Sequence, residues 1–313
     1  MSPFHFDSLV WHWPIAIYLF LAGISAGAIC FAVLLKNFKL GKDAHKSPFV
    51  RAACILAPLA VFAGLGILVI DLTKPFDFWK ILVFYNPTSI MSIGVAVLMV
   101  YQVALFAWLA CLFKEPIQTW CAGRWSVVDK ALAALTKHEP TITGLLVVLS
   151  MSLGAYTGFL LSALTTFPML NNPVLPMLFL ISGISSGAAG TLIGGVLLKG
   201  DPDGKEVHFI HRIEIPLILT ELVLLFTFFA GLIVSGGQKQ VAAMAAIGTG
   251  FWGAVFWLGI VTLGLTTPLA MNLFMEASSK RKLSYVVVTA CCSLLGVLLL
   301  RNFILYTGQM TVA

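Results

Sequence analysis

Eight apolar runs of membrane-spanning length follow one another along the chain, at about residues 13–35, 52–72, 88–113, 141–164, 174–198, 213–234, 250–274 and 284–306. A helix rises about 1.5 Å per residue, so roughly 20 apolar residues cross a hydrocarbon layer about 30 Å thick. Of the 313 residues 59% are hydrophobic and 10% charged, against about 45–50% and about 25% in a soluble domain. A water-soluble fold is excluded, and little chain is left for any globular domain. The reading is an all-α polytopic membrane protein. The six cysteines form no C-x-x-C pair and no Cys/His cluster, so zinc and iron–sulfur ligation within this chain is not expected. Met1 to Val10 holds no Lys or Arg, and the first run is too long for a signal peptide, so it reads as a retained helix.

Charge sets the orientation. Lys36, Lys39, Lys42, Lys46, Arg51, Lys114, Arg124, Lys130, Lys137, Lys199, Lys205, Arg212, Lys280, Arg281 and Lys282 all follow odd-numbered runs. Only Lys74, Lys80 and Lys239 fall on the other side, and Arg301 lies inside the last run. Basic loops stay in the cytoplasm, which predicts both termini in the periplasm of a bacterial inner membrane. The net charge of +6 is thus explained by membrane orientation and not by nucleic acid. Gly23-Ile24-Ser25-Ala26-Gly27-Ala28 in the first run is matched by Gly183-Ile184-Ser185-Ser186-Gly187-Ala188 in the fifth, and both runs end in Leu-Leu-Lys. This suggests two four-helix bundles related by an internal parallel repeat. Residues 1–140 would hold helices 1–3, 141–173 would add helix 4, and 174–313 would form the second bundle. The small-x-x-x-small spacing itself is more often a packing device than a ligand site.

An intrinsic haem needs histidines facing one another inside a bundle. His5, His12, His45, His138, His208 and His211 all read as tail or loop residues, so no haem is expected. The costly intramembrane charges are the better pointers: Asp71, Glu221 and Arg301, with Glu214 at the inner edge. Asp71 and Arg301 fall at similar depth, which permits an ion pair, and Glu221 suits a proton path. Plainer readings are an interfacial Asp71 beside Lys74, an Arg301 snorkelling to head groups, and a protonated, packed Glu221. Tyr18, Thr88, Ser89 and Tyr156 bring hydroxyls to the layer of Asp71. An aromatic belt and a helix cap account for Tyr18 and Thr88, but Tyr156 is too deep for a belt. Hydroxyls and a carboxylate in apolar walls suit a quinol, which gives up two protons as its electrons leave.

Several stretches resemble the NrfD/PsrC family: Phe4 to Trp11 with Trp13-Pro14, the glycine run of helix 1, Asn86-Pro87-Thr88-Ser89, Gly154 to Leu164, Asn171-Asn172-Pro173, His208 to Pro216, and Phe303 to Gln309. The resemblance covers essentially the whole chain and looks nearest to the nitrite-reduction branch. It implies a haem-free, eight-helix subunit exchanging electrons between menaquinol and a periplasmic ferredoxin-like subunit with [4Fe-4S] clusters, which serves a terminal reductase. It also implies a quinone site in the outer part of the first bundle, with Asp71 and Tyr156 as catalytic residues and His12, Tyr18, Thr88, Ser89 and Tyr156 around the quinone. One departure stands out. Polysulfide-type members carry Asn and His on the first turns of helix 1, where this chain has Ile15 and Tyr18.

In the mechanism expected here, Asp71 is the first proton acceptor, tuned by burial. The aromatic loop with Phe76, Phe78, Trp79, Phe84 and Tyr85, together with Phe4, Phe6 and Trp11, is expected to dock the iron–sulfur partner, with membrane anchoring as the alternative. Rival functions are a secondary transporter, since repeats and buried acids mark those folds, and a passive membrane anchor.

Overall fold

The computed structural model describes residues 3–72, 74–83, 85–121 and 126–312. Thr73 and Phe84 of the aromatic loop and Arg124 of the basic set lie outside the described residues. Eight helices are long and apolar enough to cross a membrane: α1 (Trp13–Leu35), α2 (Pro48–Asp71), α3 (Ile90–Leu112), α4 (Glu139–Ser162), α5 (Leu175–Leu197), α6 (Lys205–Ser235), α7 (Phe251–Phe274) and α8 (Leu283–Gln309). No strand occurs among the described residues. Proline opens α1, α2, α4 and α5, where its missing N–H costs nothing and its fixed φ already suits the helix.

Both termini lie at one end of the bundle, called here the terminal face. Gln309 at the end of α8 clasps the N-terminal tail: its Oε1 accepts from the Val10 and Trp11 amides at 2.9 and 2.8 Å, and its Nε2 donates to Trp11 O at 3.0 Å. The connections rich in Lys and Arg lie at the opposite, basic face. There Lys36 at the end of α1 pairs with Glu139 of α4, and Trp108 Nε1 of α3 donates to Thr143 Oγ1 of α4 at 3.1 Å.

Helices α1 and α5 are the innermost pair, packed on each other and on helices of both halves. Their matched glycine runs are the point of contact. A Cβ on Gly27 would collide with the Gly183 carbonyl and Ile184 Cα, and one on Gly187 with the Gly27–Ala28 peptide. Backbone-to-backbone approach of this kind is how membrane helices gain dispersion contact where lipid removes the hydrophobic driving force. The glycines therefore join the two halves at a seam.

Two differences from the sequence expectation matter. Helix α6 begins at Lys205, so His208, His211 and Glu214 are helical and not in a loop. Val207, Ile210, His211, Glu214, Ile218 and Glu221 are all buried along it, a face whose polar members break the apolar run that hydropathy detects. At 31 residues, or roughly 46 Å, α6 overshoots the hydrocarbon core. Helix α7 is wound as a π-helix from Val255 to Thr266, the wider coil that recurs at functional positions.

Candidate functional site

In the first half, hydroxyls gather inside apolar walls. Tyr18 of α1 and Tyr156 of α4 are buried, 7% and 8% exposed, and their phenols lie within electrostatic reach of each other. Glycines on the facing helices make room for both rings. Gly64 of α2 would place a Cβ 3.3 Å from Tyr18 Cδ2, and Gly94 of α3 would drive one into the Tyr156 ring. Nearer the basic face, Tyr101 Oη of α3 meets Ser25 Oγ of α1 at 2.8 Å, and Ser150 of α4 reaches the same phenol. Sequence reasoning missed this triad. Its signal was present as isolated Ser and Tyr residues in runs that are otherwise apolar.

The other expected members of the layer sit on the rim. Asp71 is the last residue of α2 and is exposed, which corrects the expectation that burial tunes it. The half of α2 beyond Val61 is largely uncovered except at Gly64, because α2 and α3 hardly touch. His12 is exposed at the N-cap of α1. Thr88 is exposed and spends its hydroxyl on Asn86 Oδ1 at 2.8 Å. Ser89 is half-buried at the N-cap of α3 without a side-chain cap bond. The structure thus brings Tyr18 and Tyr156 together inside, and leaves Asp71, His12, Thr88 and Ser89 around the opening.

Charges occupy the second half. Arg301 of α8 is fully buried and does not snorkel. Its Nη2 donates to Phe179 O of α5 at 2.8 Å, and its guanidinium lies 3.7 Å from the Phe179 ring centroid. Its side chain is thereby drawn to the seam, where Nη2 lies 3.5 Å from the position of a Cβ on Gly23. Its charged neighbour is Glu221 of α6, 2% exposed. An Asp71–Arg301 ion pair is not found among the described residues. Asp71 is out on the rim, while Arg301 is held from α5 and α6. At the basic end of the same α6 face, His211 Nδ1 and Glu214 Oε2 are 2.7 Å apart, and Tyr285 Oη of α8 donates to Asn272 Oδ1 of α7 at 2.8 Å.

The aromatic residues divide. Phe76, Phe78, Trp79 and Tyr85 are exposed. Phe4 packs edge-on against Phe251, Trp252 and Tyr306, and Phe6 and Trp11 are half-buried, so the tail is partly folded into the protein. A groove of about 480 Å³ lies at the basic face between Pro48, Arg51, Cys54, Ile55, Leu109, Phe113 and Leu198. It offers no carboxylate or phenol to take a proton.

These features define a polytopic membrane protein with an interior built of hydroxyls on one side of a glycine seam and charges on the other. The chain belongs to the NrfD/polysulfide reductase family of membrane subunits of reductase complexes, whose family model (polysulphide reductase, NrfD) matches residues 1–313. It is 48% identical to the protein NrfD of Escherichia coli strain K12, over 100% of this chain and 99% of that protein. It is 43% identical to the NrfD homolog of Haemophilus influenzae, over 99% and 98%. It is 40% identical to the C subunit of the polysulfide reductase of Wolinella succinogenes, over 97% and 96%.

Proposed function

We propose that this chain oxidises menaquinol beside the buried Tyr18–Tyr156 pair and passes the electrons to a ferredoxin-like subunit carrying [4Fe-4S] clusters at the terminal face. The basic loops assign that face to the periplasm of a bacterial inner membrane. The paired phenols carry the reading: two hydroxyls sunk between helices of one half, with a carboxylate at the nearby rim, match a ligand that is apolar except for two hydroxyls.

One quinol hydroxyl gives its proton to Asp71 and the other lies against Tyr156 or Tyr18. Exposure of Asp71 suits the acceptor role, because the carboxyl can hand each proton directly to water. His12, Thr88 and Ser89 line the way in. Menaquinone is a diffusing carrier here, and the chain's own residues bind it, orient it and take its protons. Glu221 and Arg301 stand apart from this pocket as a proton path or ion pair. The exposed Phe76, Phe78, Trp79 and Tyr85 form the docking surface for the iron–sulfur partner, through which a terminal reductase for nitrite, polysulfide or thiosulfate is served.

Reduction of the partner's clusters by a quinol analogue in the assembled complex tests the reading. We expect reduction, blocked by a quinone analogue. A passive anchor or a secondary transporter gives none, and its absence overturns the assignment. Deletion of residues 76–79 is expected to abolish co-purification of the partner, and retained co-purification removes the docking role.

A further inference from the structure

Buried polar atoms in membrane proteins are nearly always hydrogen-bonded, so unpartnered ones point to something that binds them. Seven buried side-chain atoms lack a partner among the described residues. Six of them belong to one set: His211 Nε2, Glu214 Oε1, Glu221 Oε2, Asn272 Nδ2, Arg301 Nε and Arg301 Nη1. All lie in the second half, on α6 and on α7 and α8, outside the hydroxyl pocket. They alternate in character. Glu214 and Glu221 offer acceptors, Asn272 and Arg301 offer donors, and the free His211 nitrogen can be either. A metal ion would want acceptors alone, whereas water satisfies both kinds, typically with two to four polar partners each.

The set also has direction. His211 and Glu214 lie in the part of α6 nearest the basic face, and Glu214 and Glu221 are seven residues apart on one buried side, about 10 Å along the axis. Glu221 sits near the middle of α6 and interacts electrostatically with Arg301. Arg301 then reaches the seam at Phe179 O and Gly23, and Gly23 is on the helix that carries Tyr18. Carboxylates and an imidazole bridged by water are groups that pass protons, and together they extend from the basic face to the middle of the bundle.

We propose that His211, Glu214 and Glu221, hydrated and ending at Arg301, form a conduit that takes protons from the basic face during turnover, so that quinol oxidation separates charge across the membrane. The inference rests on the quinol reading for its driving force. Each quinol loses two electrons to the iron–sulfur partner and two protons at the terminal face. Separately, a proton enters at His211–Glu214, is held at Glu221 and leaves toward the terminal face, its movement driven by the redox drop between quinol and clusters.

The test uses the assembled complex in vesicles with the basic face inward, a pH indicator in the lumen, and quinol oxidation followed in parallel. We expect the lumen to turn alkaline on turnover. In Glu221→Gln that signal is lost while quinol oxidation continues in the presence of a protonophore. Wild-type oxidation with an unchanged or acidified lumen overturns the conduit and leaves the quinol assignment standing. A complex that oxidises no quinol overturns the assignment, and a second measurement then decides the conduit. Cysteines introduced as Glu221→Cys and Asn272→Cys are expected to react with a small water-soluble thiol reagent added at the basic face. Failure of both to react overturns a hydrated conduit whatever the quinol assay gives.

Discussion

The two halves joined at the glycine seam bury different chemistry. Between α1 and α4 the buried polar side chains are hydroxyls, such as Ser25, Thr143, Ser150 and Thr157, along with the phenols of Tyr18, Tyr101 and Tyr156. Between α5 and α8 they include His211, Glu214, Glu221 and Arg301. A hydroxyl is satisfied by one neighbour or by a backbone carbonyl of its own helix, as Ser150 is by Leu146 O at 2.8 Å. A carboxylate or guanidinium needs several partners, and in a bundle some must be water. An apolar ring system can therefore enter the first half cheaply, whereas the second half retains the groups that hold charge.

The seam should break first. Gly27→Leu pushes side-chain atoms into the Gly183 carbonyl, and because backbone cannot yield as a side chain can, the cost should exceed the usual 1–3 kcal/mol of overpacking. Loss of a monodisperse complex in detergent is expected. Asp71→Asn comes next. Removal of a proton acceptor from a reacting hydroxyl costs about a hundredfold or more, read as quinol-analogue turnover with unchanged complex yield. Wild-type turnover would take Asp71 out of the mechanism. Tyr156→Phe keeps the ring that fills the Gly94 notch and deletes only its hydroxyl, so roughly a tenfold loss of turnover is expected, the scale of one net hydrogen bond. If the pocket is only packing, turnover stays unchanged.

Smaller effects test the edges. Gln309→Ala removes the clasp on the tail, and with each hydrogen bond worth about 0.5–1.5 kcal/mol the thermal midpoint should fall by a few degrees. At the basic face the hydrogen bond from Lys46, at 2.7 Å, and its charge hold the Asp43 carboxyl below its usual range. Any stability from this depressed group is present above the ordinary carboxylate pKa and fades as pH falls through the lowered one. The pair is solvent-exposed, so Asp43→Asn should leave the melting curve unchanged at neutral pH.

The spans were legible because each is a continuous apolar run, and eight were placed within a few residues of their observed ends apart from the start of α6. That start was hidden by the same residues that make it interesting, since His211 and Glu214 lower hydropathy while facing inward. The helices at Lys114–Cys121, Ser126–Lys137 and Gly237–Ile247 were missed because they are polar or small-residue segments too short for the spanning test. For the site, depth along a helix could be counted and the side it faces could not. Tyr18 and Tyr156 met as the depth argument required, yet Asp71 at the same level turned out to be uncovered, because nothing in its run says that α2 lacks a neighbour there.

The clasp at Gln309 carries a consequence for biosynthesis. The first residues to leave the ribosome are fastened by a residue four places from the last, so the tail has no seat until the final turn of α8 has been inserted. A nascent or truncated product presents a loose tail at that end, and a partner that grips the fastened arrangement would thereby select finished chains.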